Sequence, residues 1–174
     1  MPGAMGDYTA EHTSDDSARA KVTELIREGR ICMFTTMTPE GRHVSRPMAL
    51  QEAEFDGDLW FFVYDDSPKV VDIATHPQVN VAFSTKSNAW VSVSGRAEVV
   101  HDRAKAEQLW SAPLKAWFPD GLDTDGLALI KVTAESAEYW DAPHGKVVTL
   151  IQYAASVALR RNPSIGENQV VDLT

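Results

Sequence analysis

Residues 43–73, HVSRPMALQEAEFDGDLWFFVYDDSPKVVDI, decide how the rest of the chain folds. From His43 to Ala49 the side chains alternate, Val44, Arg46 and Met48 on one side and His43, Ser45 and Pro47 on the other, which is the period of a strand. Asp56-Gly57 is a turn dipeptide that returns the chain into LWFFVY, so two antiparallel neighbours are expected. After Tyr64, Asp65-Asp66-Ser67 offers helix N-cap residues and Pro68 suits the first helical position. Val70, Val71 and Ile73-Ala74 then form a short apolar face. This order directs Arg46 to the same spot as Ser67 and Lys69. A basic side chain, a hydroxyl and fresh helical N–H groups together make a phosphate site. Taken singly, Arg46 and Lys69 read as solvated charges and Ser67 as a cap; the combination is what points to an anion.

Working outward, Ser17 to Gly29 reads as a helix with Val22, Leu25 and Ile26 on one face and Gly29 at its C-terminal cap. Strands follow at short spacing over Ile31–Met37, His43–Leu50, Leu59–Tyr64, Val79–Ser84 and Trp90–His101, separated by turn residues at Pro39–Gly41, Asp56-Gly57 and Lys86–Asn88. Arg103–Trp110 looks helical, Phe118–Gly126 is a Gly/Asp/Pro loop, and Leu127–Trp140 returns to strand. Val147, Leu150, Ile151, Ala154, Ala155 and Ala158 keep the helical period, so a last helix is expected to about Leu159. Several short antiparallel strands with tight turns mean a barrel or a sandwich. Residues 1–16 are polar and read as a disordered segment, 17–160 as one domain, and 161–174 as a tail.

Composition narrows the function. A chain of 174 residues with 44% hydrophobic content is able to bury its own core. It has no apolar run of the roughly 18 residues that a membrane-spanning helix needs, and its polar start does not resemble a secretion signal, so a cytoplasmic location is expected. The net charge of -9 argues against nucleic acid or an anionic membrane as partner. Any anion must therefore be held by a local site working against the overall field. Cys32 lies in the apolar strand ICMFTTM and reads as a buried thiol. His12, His43, His76, His101 and His144 are scattered, with no metal-ligand spacing, so no metal site is expected. There is no Gly-x-Ser-x-Gly and no Gly-x-Gly-x-x-Gly, which removes the common hydrolase and dinucleotide-fold readings. The carboxylates at Asp65-Asp66 and Glu138–Asp141 read as caps and a solvated rim as readily as acid/base groups. Trp90 reads as a core or interface residue.

The ordered set LWFFVYDDSPKVVDI, HPQVNVAF, WVSVSGRAEVV, AWFPDGLD, LALIKVTAESAEYWD and GENQVVDL resembles the pyridoxamine-phosphate-oxidase-like, flavin-binding split-barrel family, and within it the bacterial general-stress-protein branch. The resemblance runs from about Ala18 to the C-terminus. It implies a mainly β, α+β architecture: a six-stranded antiparallel Greek-key split barrel with peripheral helices. It also implies a homodimer with flavin mononucleotide (FMN) sites at the interface, FAD being the alternative flavin. Carried onto matching positions, Arg46, Pro47 and Met48 would line the flavin, Phe62 and Val63 would flank its ring, and Ser67 and Lys69 would hold its phosphate. Trp117, Phe118 and Trp140 would cover the ring, in part from the partner chain.

Two departures bear on activity. The true oxidases carry a C-terminal Arg-x-His substrate motif, where this chain has RRNPSIGENQVVDL, which speaks against pyridoxamine-phosphate oxidation. Pro68 stands where the oxidases carry a second basic residue. An FMN-dependent oxidoreductase and a flavin-binding stress protein without turnover both fit the residues, with a deazaflavin or haem ligand as a third option.

Overall fold

The computed structural model describes residues 16–51, 56–141 and 167–173. Three helices and seven strands follow one another as α1 (Asp16–Glu28), β1 (Ile31–Met37), β2 (His43–Ala49), β3 (Asp58–Tyr64), α2 (Pro68–Thr75), β4 (Gln78–Ser84), β5 (Trp90–Val100), α3 (Arg103–Leu109), β6 (Leu127–Asp141) and β7 (Glu167–Asp172). Two short 3-10 turns, Ala112–Ala116 and Gly121–Asp123, fill the loop between α3 and β6. The expected last helix to Leu159 lies outside the described residues.

The strands form one antiparallel sheet in the order β2-β1-β4-β5-β6-β3, with β7 added on β6. Six strands on one path match the expected split barrel; the seventh comes from the segment read as a tail. It fits because β6 is 15 residues long. Its first half, Leu127–Thr133, pairs with β3, and its second half, Ser136–Asp141, pairs with β7 on the same flank. The two ends of the path, β2 and β3, carry no ladder between them among the described residues. They meet where the Gln51 N–H donates to the Trp60 carbonyl at 3.1 Å. That unladdered seam is the split, and the cavity described below opens beside it.

Period-two alternation sends Cys32, Phe34 and Thr36 of β1, Val79, Val81 and Phe83 of β4, and Val91 and Val93 of β5 into the barrel. Val22, Leu25 and Ile26 of α1 pack into the same core. Phe34 and Phe61 meet edge to face at 5.2 Å between ring centres. Gly95 allows the barrel to bend: the β5–β6 register shifts at Ser94/Gly95, and a Cβ there would sit 2.3 Å from the Thr133 carbonyl oxygen. Cys32 is buried, its thiol donates to the Met48 carbonyl, and burial pushes its pKa up to about 12, so it is an inert core group as expected.

β3 is buried on both faces. Leu59, Phe61 and Val63 point into the barrel, while Phe62 packs with Leu129, Ala106, Leu109, Leu114 and Phe118 in a second cluster beneath α3 and the loop after it. Among the described residues, no helix is long and apolar enough to cross a membrane.

Candidate functional site

β2, β3, α2 and the loop after α3 surround a cavity of about 380 Å³. That is the size range of a small-molecule site. Of the expected residues, Arg46, Pro47, Met48, Phe62, Val63, Lys69, Trp117 and Phe118 all line it. Sequence reasoning missed Ile31, Ala49, Gln51, Tyr64 and Leu114 on its walls. Most of these are neighbours along β1, β2 and β3 of residues already singled out.

One end of the cavity is cationic. Arg46 projects from edge strand β2 and is held in place from behind: Nη1 donates to Thr36 Oγ1 at 2.8 Å, and Nη2 reaches Asp72 Oδ2 at 3.5 Å. Thr36 Oγ1 in turn donates to Asp72 Oδ2 at 2.6 Å. Lys69, in the first turn of α2, has no hydrogen-bond or carboxylate partner among the described residues. Burial, and then repulsion from Arg46, lowers its pKa from the ordinary lysine value. Two cations thus converge at this end of the cavity, Arg46 with protein partners and Lys69 with none among the described residues.

α2 departs from the sequence reading in how it is turned. Val71 is 56% exposed and Ala74 is exposed, whereas Asp72 and Ile73 are the buried positions. The expected apolar face therefore holds for Ile73 and in part for Val70, and fails for Val71 and Ala74. The reason is polar: Lys69 and Asp72, three residues apart, share the inward face, and Asp72 is drawn to Thr36 and Arg46. Ser67 occupies the N-cap position and Pro68 the first turn, but the Ser67 hydroxyl makes no capping bond. Its Oγ is buried with no partner among the described residues and does not line the cavity wall, so the sequence expectation for Ser67 is not met there.

The other end is aromatic. Phe118 is buried against Phe62 and Tyr64, with ring centres at 6.0 and 4.8 Å, and Trp110 closes on Phe62 at 5.5 Å. The Tyr64 hydroxyl donates to the Trp117 carbonyl at 2.7 Å, pinning the loop to β3. This leaves the Trp117 side chain 63% exposed at the cavity mouth. Trp140 is not on this wall. It lies near the far end of β6, paired with Trp90 on β5 and Asn168 on β7, on the outer surface of the sheet. Trp90 is exposed rather than core.

A second cavity, about 450 Å³, lies between α3 and residues 121–129. There Arg103 pairs with Glu107 and Asp123, and the His101 ring nitrogen lies 3.4 Å from Asp65. Among the described residues it has no counterpart of Lys69, a cation without a carboxylate partner. No three His, Cys, Asp or Glu side chains converge as a metal site among the described residues.

The sequence profile of the pyridoxamine 5'-phosphate oxidase-like family matches residues 17–164. Protein bli-3 of Neurospora crassa is 30% identical over 129 residues, 68% of this chain and 62% of its own length. The chain spans under two thirds of the length of the curated relatives it matches, 62% and 63%. The structure of a general stress protein 26 from Jannaschia superposes with a TM-score of 0.71 at 21% identity, over 91% of this chain and all of that one, a likeness of fold. The general stress FMN/FAD binding protein of Xanthomonas citri superposes with a TM-score of 0.62 at 26% identity, over 72% of this chain and 92% of that one.

Proposed function

The chain belongs to the pyridoxamine 5'-phosphate oxidase-like family, and from that premise we propose that it is a cytoplasmic flavin-binding protein that takes FMN in the cavity between β2, β3 and α2. The observation that carries the reading is the polarity of that cavity, with Arg46 and Lys69, which has no carboxylate partner among the described residues, at one end and Phe62, Phe118 and Trp117 at the other. FMN has the same polarity, a dianionic phosphate on one end and a planar polar ring on the other. Arg46 and Lys69 would hold the phosphate; Ser67, expected beside them, sits behind the cavity wall at the start of α2. Pro47 and Met48 of the β2 edge, with Phe62 and Val63, would flank the ring, and Trp117 and Phe118 would cover it. The general stress protein of Xanthomonas citri, described as FMN/FAD binding, supports the same ligand class.

A bound flavin would supply hydride or electron transfer. The residues of this chain would position it, and the apolar wall would exclude water from the ring.

The functional unit is a homodimer. Ile31 and Met33 on β1 and Trp90 on β5 are exposed, and by strand parity they share the outer sheet face with Trp140. Large apolar groups on one face of a monomer are unusual and mark an association surface. Pairing through this face offers Trp140 to the partner's site, which accounts for its distance from the cavity of its own chain.

Titration of FMN followed by quenching of flavin fluorescence tests the ligand. Saturation at micromolar concentration or below is expected, and no quenching up to the millimolar range contradicts the reading. Light scattering tests the dimer, and a mass near that of the 19.2 kDa chain contradicts it. Turnover as an oxidoreductase predicts that NADH or NADPH bleaches bound flavin in a stopped-flow experiment. The alternative of a flavin holder without turnover, which the tail RRNPSIGENQVVDL without an Arg-x-His motif also fits, predicts no bleaching.

A further inference from the structure

Only two positions of α2 are buried, and one of them is an aspartate. Burying a carboxylate disfavours folding unless strong partners compensate it. Its partners here form a directed chain. The Thr36 hydroxyl has a single proton and donates it to Asp72 at 2.6 Å, so the Thr36 lone pairs are left to accept from Arg46 Nη1 at 2.8 Å. The direct Arg46–Asp72 contact is longer, 3.5 Å. Were the purpose only to neutralise Asp72, a short two-pronged guanidinium–carboxylate pair would be the stronger arrangement. Interposing Thr36 instead engages one edge of the guanidinium and leaves the remaining N–H groups free on a side chain that lines the cavity. Lys69, one helical turn before Asp72, makes no ion pair with it among the described residues. The carboxylate thus serves Thr36 and Arg46 and leaves the Lys69 charge to the cavity.

We propose that Thr36 and Asp72 are positioning residues of the anion site, holding the Arg46 guanidinium so that its free N–H groups meet the phosphate of a bound flavin. The inference rests on the phosphate assignment made above. Asp72 fixes the direction of the Thr36 hydroxyl, and Thr36 fixes Arg46, which would otherwise lose several rotamers on binding.

The test compares dissociation constants for FMN and for riboflavin, which has the ring without the phosphate, in wild type, Thr36→Val, Thr36→Ser, Arg46→Ala and the Thr36→Val/Arg46→Ala double variant. Losing one orienting hydrogen bond should weaken FMN binding about 5- to 10-fold in Thr36→Val and leave riboflavin within about twofold. Thr36→Ser, which keeps the hydroxyl, should restore the wild-type ratio of the two constants. In the Arg46→Ala background, Thr36→Val should change that ratio no further, because the effect runs through Arg46. A merely structural threonine would weaken both ligands alike or act additively with Arg46→Ala, and either result overturns the proposal. So does an unchanged ratio in Thr36→Val when wild type prefers FMN. Wild type binding FMN no more tightly than riboflavin would overturn the phosphate assignment itself. Thr36→Ala removes the same hydroxyl with less crowding and carries the test if the valine variant does not fold.

Discussion

The two ends of the cavity are built on different physics. The cationic end hangs on a few directional contacts: Arg46 on Thr36 and Asp72, and Lys69, among the described residues, on its place in α2 alone. The aromatic end is continuous with a packed cluster, in which Phe62 and Phe118 are buried among Leu109, Leu114 and Leu129. Substitutions at the first should therefore change what is bound more than whether the chain folds. At the second the order reverses, because the residues that shape the wall also hold the α3 side of the molecule to β3.

The comparison breaks most visibly at Phe118. Phe118→Ala should destabilise the protein by about 3–5 kcal/mol in chemical denaturation, since it empties its place in the cluster with Phe62, Leu109, Leu114 and Leu129. A cost near zero would mean that the cluster is not a second core. At the opposite end, Arg46→Ala or Lys69→Ala should each weaken FMN binding about 10- to 100-fold, with a smaller change for riboflavin. The two differ in stability. Lys69→Ala should be near neutral, whereas Arg46→Ala leaves buried Asp72 with Thr36 alone and should lower the unfolding free energy by about 1–3 kcal/mol. Equal loss for both ligands would mean that the barrel, not the anion site, was disturbed.

Trp117 sharpens the contrast because it belongs to the aromatic end yet is exposed. Trp117→Ala should weaken FMN and riboflavin alike, about 2- to 10-fold, with little change in stability. The smallest effect concerns Lys69 in the free protein. Its pKa is lowered on folding, by burial first and Arg46 second. The unfolded chain therefore binds more protons than the folded one between the lowered and the ordinary lysine pKa, so this group makes stability rise with pH through that window. Below the window the charged Lys69 disfavours folding. Lys69→Met should then raise the melting temperature at neutral pH by about 1–2 °C while weakening FMN binding. A fall in melting temperature would show that the charge has a partner in the free protein.

The fold was legible because its strands are short, alternate cleanly and are separated by turn residues at Gly41, Gly57 and Asn88, all of which have positive φ. β7 escaped notice because six residues with two valines carry little periodicity of their own. Its place is set by the flank of β6 that β3 leaves open beyond Thr133. Arg46 and Lys69 were legible as residue types that attract an anion, Trp117 and Phe118 only through the family resemblance. Thr36 and Asp72 were not, since a threonine inside ICMFTTM reads as ordinary strand and an aspartate between Val71 and Ile73 reads as the polar side of a small helix. Which way α2 turns is decided by a contact with β1 across 36 residues of sequence, and no local pattern records it.

Parallel titration of the wild-type protein with FMN and with riboflavin at fixed ionic strength, followed by flavin fluorescence, tests the central claim most directly. A phosphate held by Arg46 and Lys69 at one end of an aromatic cavity predicts both ligands binding, FMN tighter by a factor of about 10 or more. Equal affinities would contradict it, because the cationic end would then have no part in binding the ligand.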